Sequence, residues 1–185
     1  MASFLDVAQK RQANPKRNKI TVTQKRWLLS AHLLFVTAWL GGGLCTLTLG
    51  ITALFTTGPH LLNAISVFTE TLDHAVIGIG AVGTILTGIL LATLTQWGLI
   101  RFYWINAKEL ISILCIIVDL IAIRWNEQLI FLTATQGVQA FSNTLYLTDR
   151  TLLFVGLVFR IIVLSGVIVI SVFKPWSQRK SLSRR

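Results

Sequence analysis

Four apolar stretches, each about as long as a bilayer is thick, divide the chain at 27–49, 74–95, 105–125 and 151–173. A helix rises about 1.5 Å per residue, so about 20 residues cross a hydrocarbon core of about 30 Å. Lipid offers no partner to backbone N–H and C=O groups, and helices satisfy their own. The sequence therefore predicts an all-α polytopic membrane protein, a four-transmembrane-helix bundle over 27–173. Its basic tails are 1–26 and 174–185.

Charged residues make up 13% of the chain and hydrophobic ones 54%. A soluble domain carries charge on about a quarter of its residues. The formal net charge of +10 is concentrated in the tails, seven of the 17 lysines and arginines preceding Trp27 and five following Phe173. That placement argues against nucleic acid as the partner and for anionic lipid beside the bilayer. Arg101 and Lys108 join the tails on one side, while Arg124 and Arg150 fall on the other. By the positive-inside rule both termini are expected in the cytoplasm. Trp27, Trp97, Trp104 and Trp176 would form an aromatic belt at that face.

Punctuation between the spans is of two kinds. Thr56, Thr57, Gly58 and Pro59 close the first, and Pro59 suits the first turn of a new helix. Residues 60–73 then read as an amphipathic lead-in, 96–104 as a short aromatic turn, and 126–150 as a polar connection carrying a surface helix or two. Small residues at four-residue spacing mark close helix contacts in lipid. Ala38, Gly42, Thr46 and Gly50 on the first span are expected to meet Gly80, Thr84 and Gly88 on the second. The run Gly41, Gly42, Gly43 could also kink the first span.

Arg160 lies near the middle of the last span. An arginine at the bilayer centre costs roughly 2.5–3.5 kcal/mol on insertion scales, so it needs a partner. The third span supplies one. Lys108, Ser112, Cys115 and Asp119 follow spacings of four, three and four, which places them on one helical face. Counted from the tail side, Asp119 and Arg160 both lie about 20 Å deep. An intramembrane Asp119–Arg160 ion pair is the sharpest expectation.

Two further clusters carry possible chemistry. Glu70, Asp73 and His74 share a face at the outer mouth of the second span, where they could bind a divalent metal or relay a proton. Acids in a first helical turn also stabilise its positive end without a ligand. His32 falls near Lys108 and Glu109 in depth and would form an inner polar cluster with Glu109. No cofactor is predicted. Haem b held by two histidines needs both imidazoles at one depth, and His32 lies far from His60 and His74. Methionine occurs only at Met1, which argues against thioether copper handling. Cys45 and Cys115 show no redox or zinc spacing. Gly78, Gly80 and Gly83 match a nucleotide-loop string but lie inside an apolar span.

The segment 27–44, with His32 and Ala-Trp-Leu-Gly-Gly-Gly at 38–43, and Leu-Thr-Gln-Trp-Gly-Leu-Ile-Arg-Phe-Tyr-Trp-Ile-Asn-Ala-Lys at 94–108 together resemble an uncharacterised family of bacterial four-helix integral membrane proteins. The first-helix pattern is also distantly similar to CopD-type and cytochrome b561-like membrane bundles. The resemblance implies a multi-pass protein of the bacterial plasma membrane and hands over no activity. The sequence thus points to a non-catalytic transport, accessory or assembly component, acting as a homo-oligomer or beside a membrane partner subunit. A small ion- or proton-coupled transporter acting as an oligomer and a haem or metal redox protein are the alternatives.

Overall fold

Thr21 opens the first helix with a reciprocal cap: its hydroxyl accepts from Gln24 N–H at 3.2 Å, and its own N–H donates to Gln24 Oε1 at 3.0 Å. Helix α1, Val22–Phe55, thus starts five residues inside the expected basic tail. The computed structural model describes residues 20–94 and 103–173. The remaining tail residues, the turn with Arg101, and the side chains of Trp97, Trp104 and Trp176 lie outside the described residues. Trp27 is exposed near the start of α1.

Helix α2 runs from Pro59 to Leu94, α3 from Tyr103 to Gln136 and α4 from Thr144 to Phe173. Consecutive helices run antiparallel, so the start of α1 and the end of α4, to which the tails join, lie at one end of the bundle and the α1–α2 and α3–α4 connections at the other. These are called the tail end and the far end. Helix α1 packs along the tail half of α2 and along α4, while α3 packs along α4 and the far half of α2. Helices α1 and α3, and α2 and α4, thus face each other diagonally across the axis.

All described regular structure is helical. Among the described residues α1, α2 and α4 are long and apolar enough to cross a membrane. Helix α3 equals α1 in length but carries Lys108, Glu109, Asp119, Arg124 and Glu127. The outward surface is apolar, with Leu34, Ile79, Leu110, Leu120 and Ile162 all more than half exposed. Polar groups instead gather along the axis. On α3 the inward positions are 105, 108, 112, 115, 119, 122, 126, 129 and 133, alternating intervals of three and four. That 3.5-residue period is the one that winds helices left-handedly around each other.

The helices are longer than the expected spans. Residues 60–73 and 74–95 belong to one helix to Leu94, α3 continues past 125 to Gln136, and α4 begins at Thr144 instead of 151. The connection expected over 126–150 shrinks to a 3₁₀ turn, Gly137–Ser142, and Asn143. Gly137 there takes a left-handed φ of 54°, a conformation glycine adopts without strain at a helix C-terminus. Side-chain amides on these added turns bond from helix to helix. Asn63 Nδ2 donates to Thr133 Oγ1 at 3.1 Å and to Ile130 O at 3.3 Å, and Asn126 Nδ2 donates to Ser66 O at 2.9 Å. Arg150 Nη2 donates to Ala53 O at 2.7 Å, placing a cation on the last carbonyls of α1.

Helix α1 stays α-helical through Gly41–Gly43. The irregularity sits opposite, in α2, where Asp73–Gly78 is π-helical. A Cβ at Gly42 would lie 2.8 Å from Ile77 Cγ1 in that segment, so the glycine makes room for the wider turn. Of the expected packing ridge, Gly42 and Gly80 do mediate the α1–α2 approach: a Cβ at Gly80 would lie 2.7 Å from Trp39 N. The ridge continues through Gly83, against the Phe35 ring, and buried Thr87, instead of Thr84 and Gly88. Gly50 faces Leu157 of α4, and Gly88 faces Glu109 of α3. Ala38 is only half-buried, and Thr46 faces α4. The face differs because a strict four-residue step drifts about 40° around a helix each time, whereas 80, 83 and 87 follow steps of three and four and stay on one face.

Candidate functional site

Arg160 is 2% exposed, and all four helices supply groups to it. From α3, Asp119 Oδ1 accepts from Nη1 at 3.0 Å. From α1, Thr46 Oγ1 accepts from Nη2 at 2.6 Å and donates onward to Gly43 O at 3.0 Å. From α2, Asp73 Oδ1 stands 3.6 Å from Nη1, within ion-pair range. Gly43 leaves room for the guanidinium, since a Cβ there would lie 3.3 Å from Nε. Asp119 is held on both oxygens, because Trp39 Nε1 donates to Oδ2 at 3.1 Å. Asp73 is 7% exposed and its Oδ1 has no hydrogen-bond partner.

This arrangement changes the expected role of Asp73. It does not gather with Glu70 and His74: Asp73 points into the bundle, His74 is exposed and Glu70 is half-buried. Among the described residues no group of three histidine, cysteine, aspartate or glutamate side chains forms a metal-binding cluster. Asp73 is instead a second carboxylate on the guanidinium already joined to Asp119.

Toward the tail end the helices separate around a cavity of about 510 Å³. It runs along α1 from Lys25 to Trp39, about 20 Å of helix rise. Its walls are mostly aliphatic, including Leu29, Val36, Ile85 and Leu164. A polar ring interrupts them: His32 of α1, Thr84 of α2, Lys108, Glu109 and Ser112 of α3, and Ser171 of α4. Lys108 Nζ donates to Ser171 Oγ at 2.7 Å. His32 Nδ1 and Thr87 Oγ1 are 2.8 Å apart. Thr87 commits its proton to Gly83 O at 2.5 Å, so the imidazole Nδ1–H is the donor. His32 and Glu109 both border Gly88, where a Cβ would lie 2.9 Å from Glu109 Oε1 and 3.6 Å from His32 Cε1.

No protein-family model matches this chain, and no curated protein or solved structure matches it. Its own geometry has to carry the functional reading.

The polar stripe Lys108, Ser112, Cys115, Asp119 lies on the inward face of α3, with Ser112 and Cys115 buried. Its upper members line the cavity and Asp119 belongs to the charged centre. Cys115 packs with Trp39, Ile77, Ala81 and Leu164 between the two. Cys45 is exposed on the outer face of α1. Trp39 is the functional residue that sequence reasoning missed. It is 1% exposed, closes the cavity, and holds Asp119 with its indole N–H. The available signal was its position at i−3 from Gly42, on the face that meets α2.

Proposed function

We propose that this chain is a four-span integral membrane protein of the bacterial plasma membrane, with both termini cytoplasmic. It acts without catalysis as a transport or accessory component, and its working site is the tail-end cavity, which takes an amphipathic ligand. The observation that carries the reading is the cavity's make-up. Aliphatic walls suit a hydrocarbon tail, and Lys25 and Lys108 suit an anionic head. In the proposed orientation its mouth opens at the cytoplasmic leaflet, where anionic lipids and the basic tails meet.

The apolar outward face and the length of α1, α2 and α4 support the membrane placement. Helix α3 crosses with them because its charges Lys108, Glu109 and Asp119 turn toward the axis.

Two measurements test the proposal. In a chain carrying Cys45→Ala and Cys115→Ala, a single cysteine at exposed Val138 should react with a membrane-impermeant maleimide added to intact cells. A cysteine in the N-terminal tail should not, and the reverse pattern would overturn the orientation. Purified protein should be thermally stabilised by single-chain anionic amphiphiles such as lysophosphatidylglycerol, and Ser171→Phe, which narrows the cavity, should abolish the shift. Equal stabilisation of wild type and Ser171→Phe would exclude the cavity as the binding site.

A small ion- or proton-coupled transporter acting as an oligomer is the second reading. It is favoured by the three ionisable groups, two acids and one arginine, at the centre of the bundle.

A further inference from the structure

We propose that Asp73 and Asp119 hold one exchangeable proton against Arg160, and that it resides on Asp73. With both carboxylates ionised, the centre would carry one uncompensated negative charge among apolar side chains, which is strongly unfavourable. Among the described residues the neighbouring helices offer no second cation. Helix α1 presents Thr46 and Trp39, α3 presents Asp119 and the Cys115 thiol, and α4 presents Arg160. On α2 itself His74 is exposed and Glu70 is half-buried one turn away.

Hydrogen bonding decides which carboxylate is protonated. Asp119 accepts one N–H on each oxygen, from Arg160 and from Trp39, as an ionised acid should. Asp73 Oδ1 has no hydrogen-bond partner, though it lies within 3.6 Å of Arg160 Nη1. The acid with the poorer set of donors takes the proton.

The occupant is a proton and not a metal cation. A gap of about 110 Å³ lies between α2 and α3 beside both acids, but its other lining residues include Ile77, Ala81, Ile116 and Leu120. A hard cation needs about six oxygen ligands, whereas a proton needs one oxygen. The π segment begins at Asp73, and such segments recur at functional sites. The site stands on the buried centre alone and does not depend on the cavity's ligand.

Infrared spectroscopy of the full-length protein in lipid nanodiscs tests this directly. At neutral pH the wild type should show the carbonyl stretch of one buried protonated carboxylic acid. The band should move on transfer to deuterium oxide and on labelling with ¹³C-carboxyl aspartate. It should vanish in Asp73→Asn. It should also vanish in Asp119→Asn, because the remaining acid then pairs with Arg160 as a carboxylate. Glu109→Gln and Asp149→Asn should keep it.

Absence of the band in wild type overturns the proposal, as does a band that does not respond to aspartate labelling. Both results are read without any variant, should one fail to fold. A band surviving both Asp73→Asn and Asp119→Asn overturns it too. A band that appears only when sodium is withdrawn would mean that a cation holds the site instead.

Discussion

The centre of the bundle and the ring around its tail-end cavity are built from the same kinds of side chain, yet they are arranged for opposite ends. At the centre Arg160, Asp119, Asp73 and Thr46 come from four helices and close on one guanidinium. In the ring His32 pairs with Thr87 and Lys108 with Ser171, and the helices between these pairs stay apart. Charges drawn onto one point bind helices to each other. Similar charges spread around a space leave polar atoms for a ligand.

The contrast breaks most sharply at Arg160. Arg160→Met leaves two buried acids without a counter-charge and should lower stability by about 3–5 kcal/mol, measured by denaturant titration in mixed micelles. Adding Asp73→Asn and Asp119→Asn to the same chain should recover part of that loss. If the triple variant is no more stable than the single one, the centre is not held by charge. Next in size, Trp39→Phe removes the donor to Asp119 Oδ2 and should cost about 1.5–3 kcal/mol. Because Trp39 also closes the cavity, amphiphile binding should weaken in the same variant.

Gly80→Ala should cost about 1–3 kcal/mol, since the new methyl group meets the backbone of α1. Gly88→Ala should be the mildest change. Its methyl group meets the flexible end of Glu109 while the helix gains about 1 kcal/mol in propensity. Stability measured the same way should move by under about 1 kcal/mol, while amphiphile-induced stabilisation falls. A large stability loss from Gly88→Ala would mean that the ring, too, is a packing element.

Much of the fold could be read from residue type and spacing. Four apolar stretches located the helices, and depth counting placed Asp119 and Arg160 at one level, where the structure sets them 3.0 Å apart. Spacings of three and four also put Lys108, Ser112, Cys115 and Asp119 on the inward face of α3. Helix ends were harder to read, because the polar stretch after 125 reads as a connection until the partners of residues such as Asn126 and Thr133 are known. Those partners lie on other helices, which local sequence cannot show. Asp73 was misplaced for the same reason. Beside Glu70 and His74 it resembles a surface cluster, yet it shares an inward face with Leu62, Ile65, Thr69 and Ile77. That face continues from the amphipathic segment into the apolar one, and the apparent boundary at residue 74 concealed it.

The π segment gives α2 an unusual arithmetic. Such a segment is equivalent to one residue inserted into an α-helix, so its two halves keep separate registers that differ by about 100° of rotation. One register aims Asp73 at Arg160, and the other aims Gly80 at the backbone of α1. Deleting a single residue within 73–78 would restore a regular helix and bring those two registers into conflict. For this stretch the count of residues matters as much as their identity.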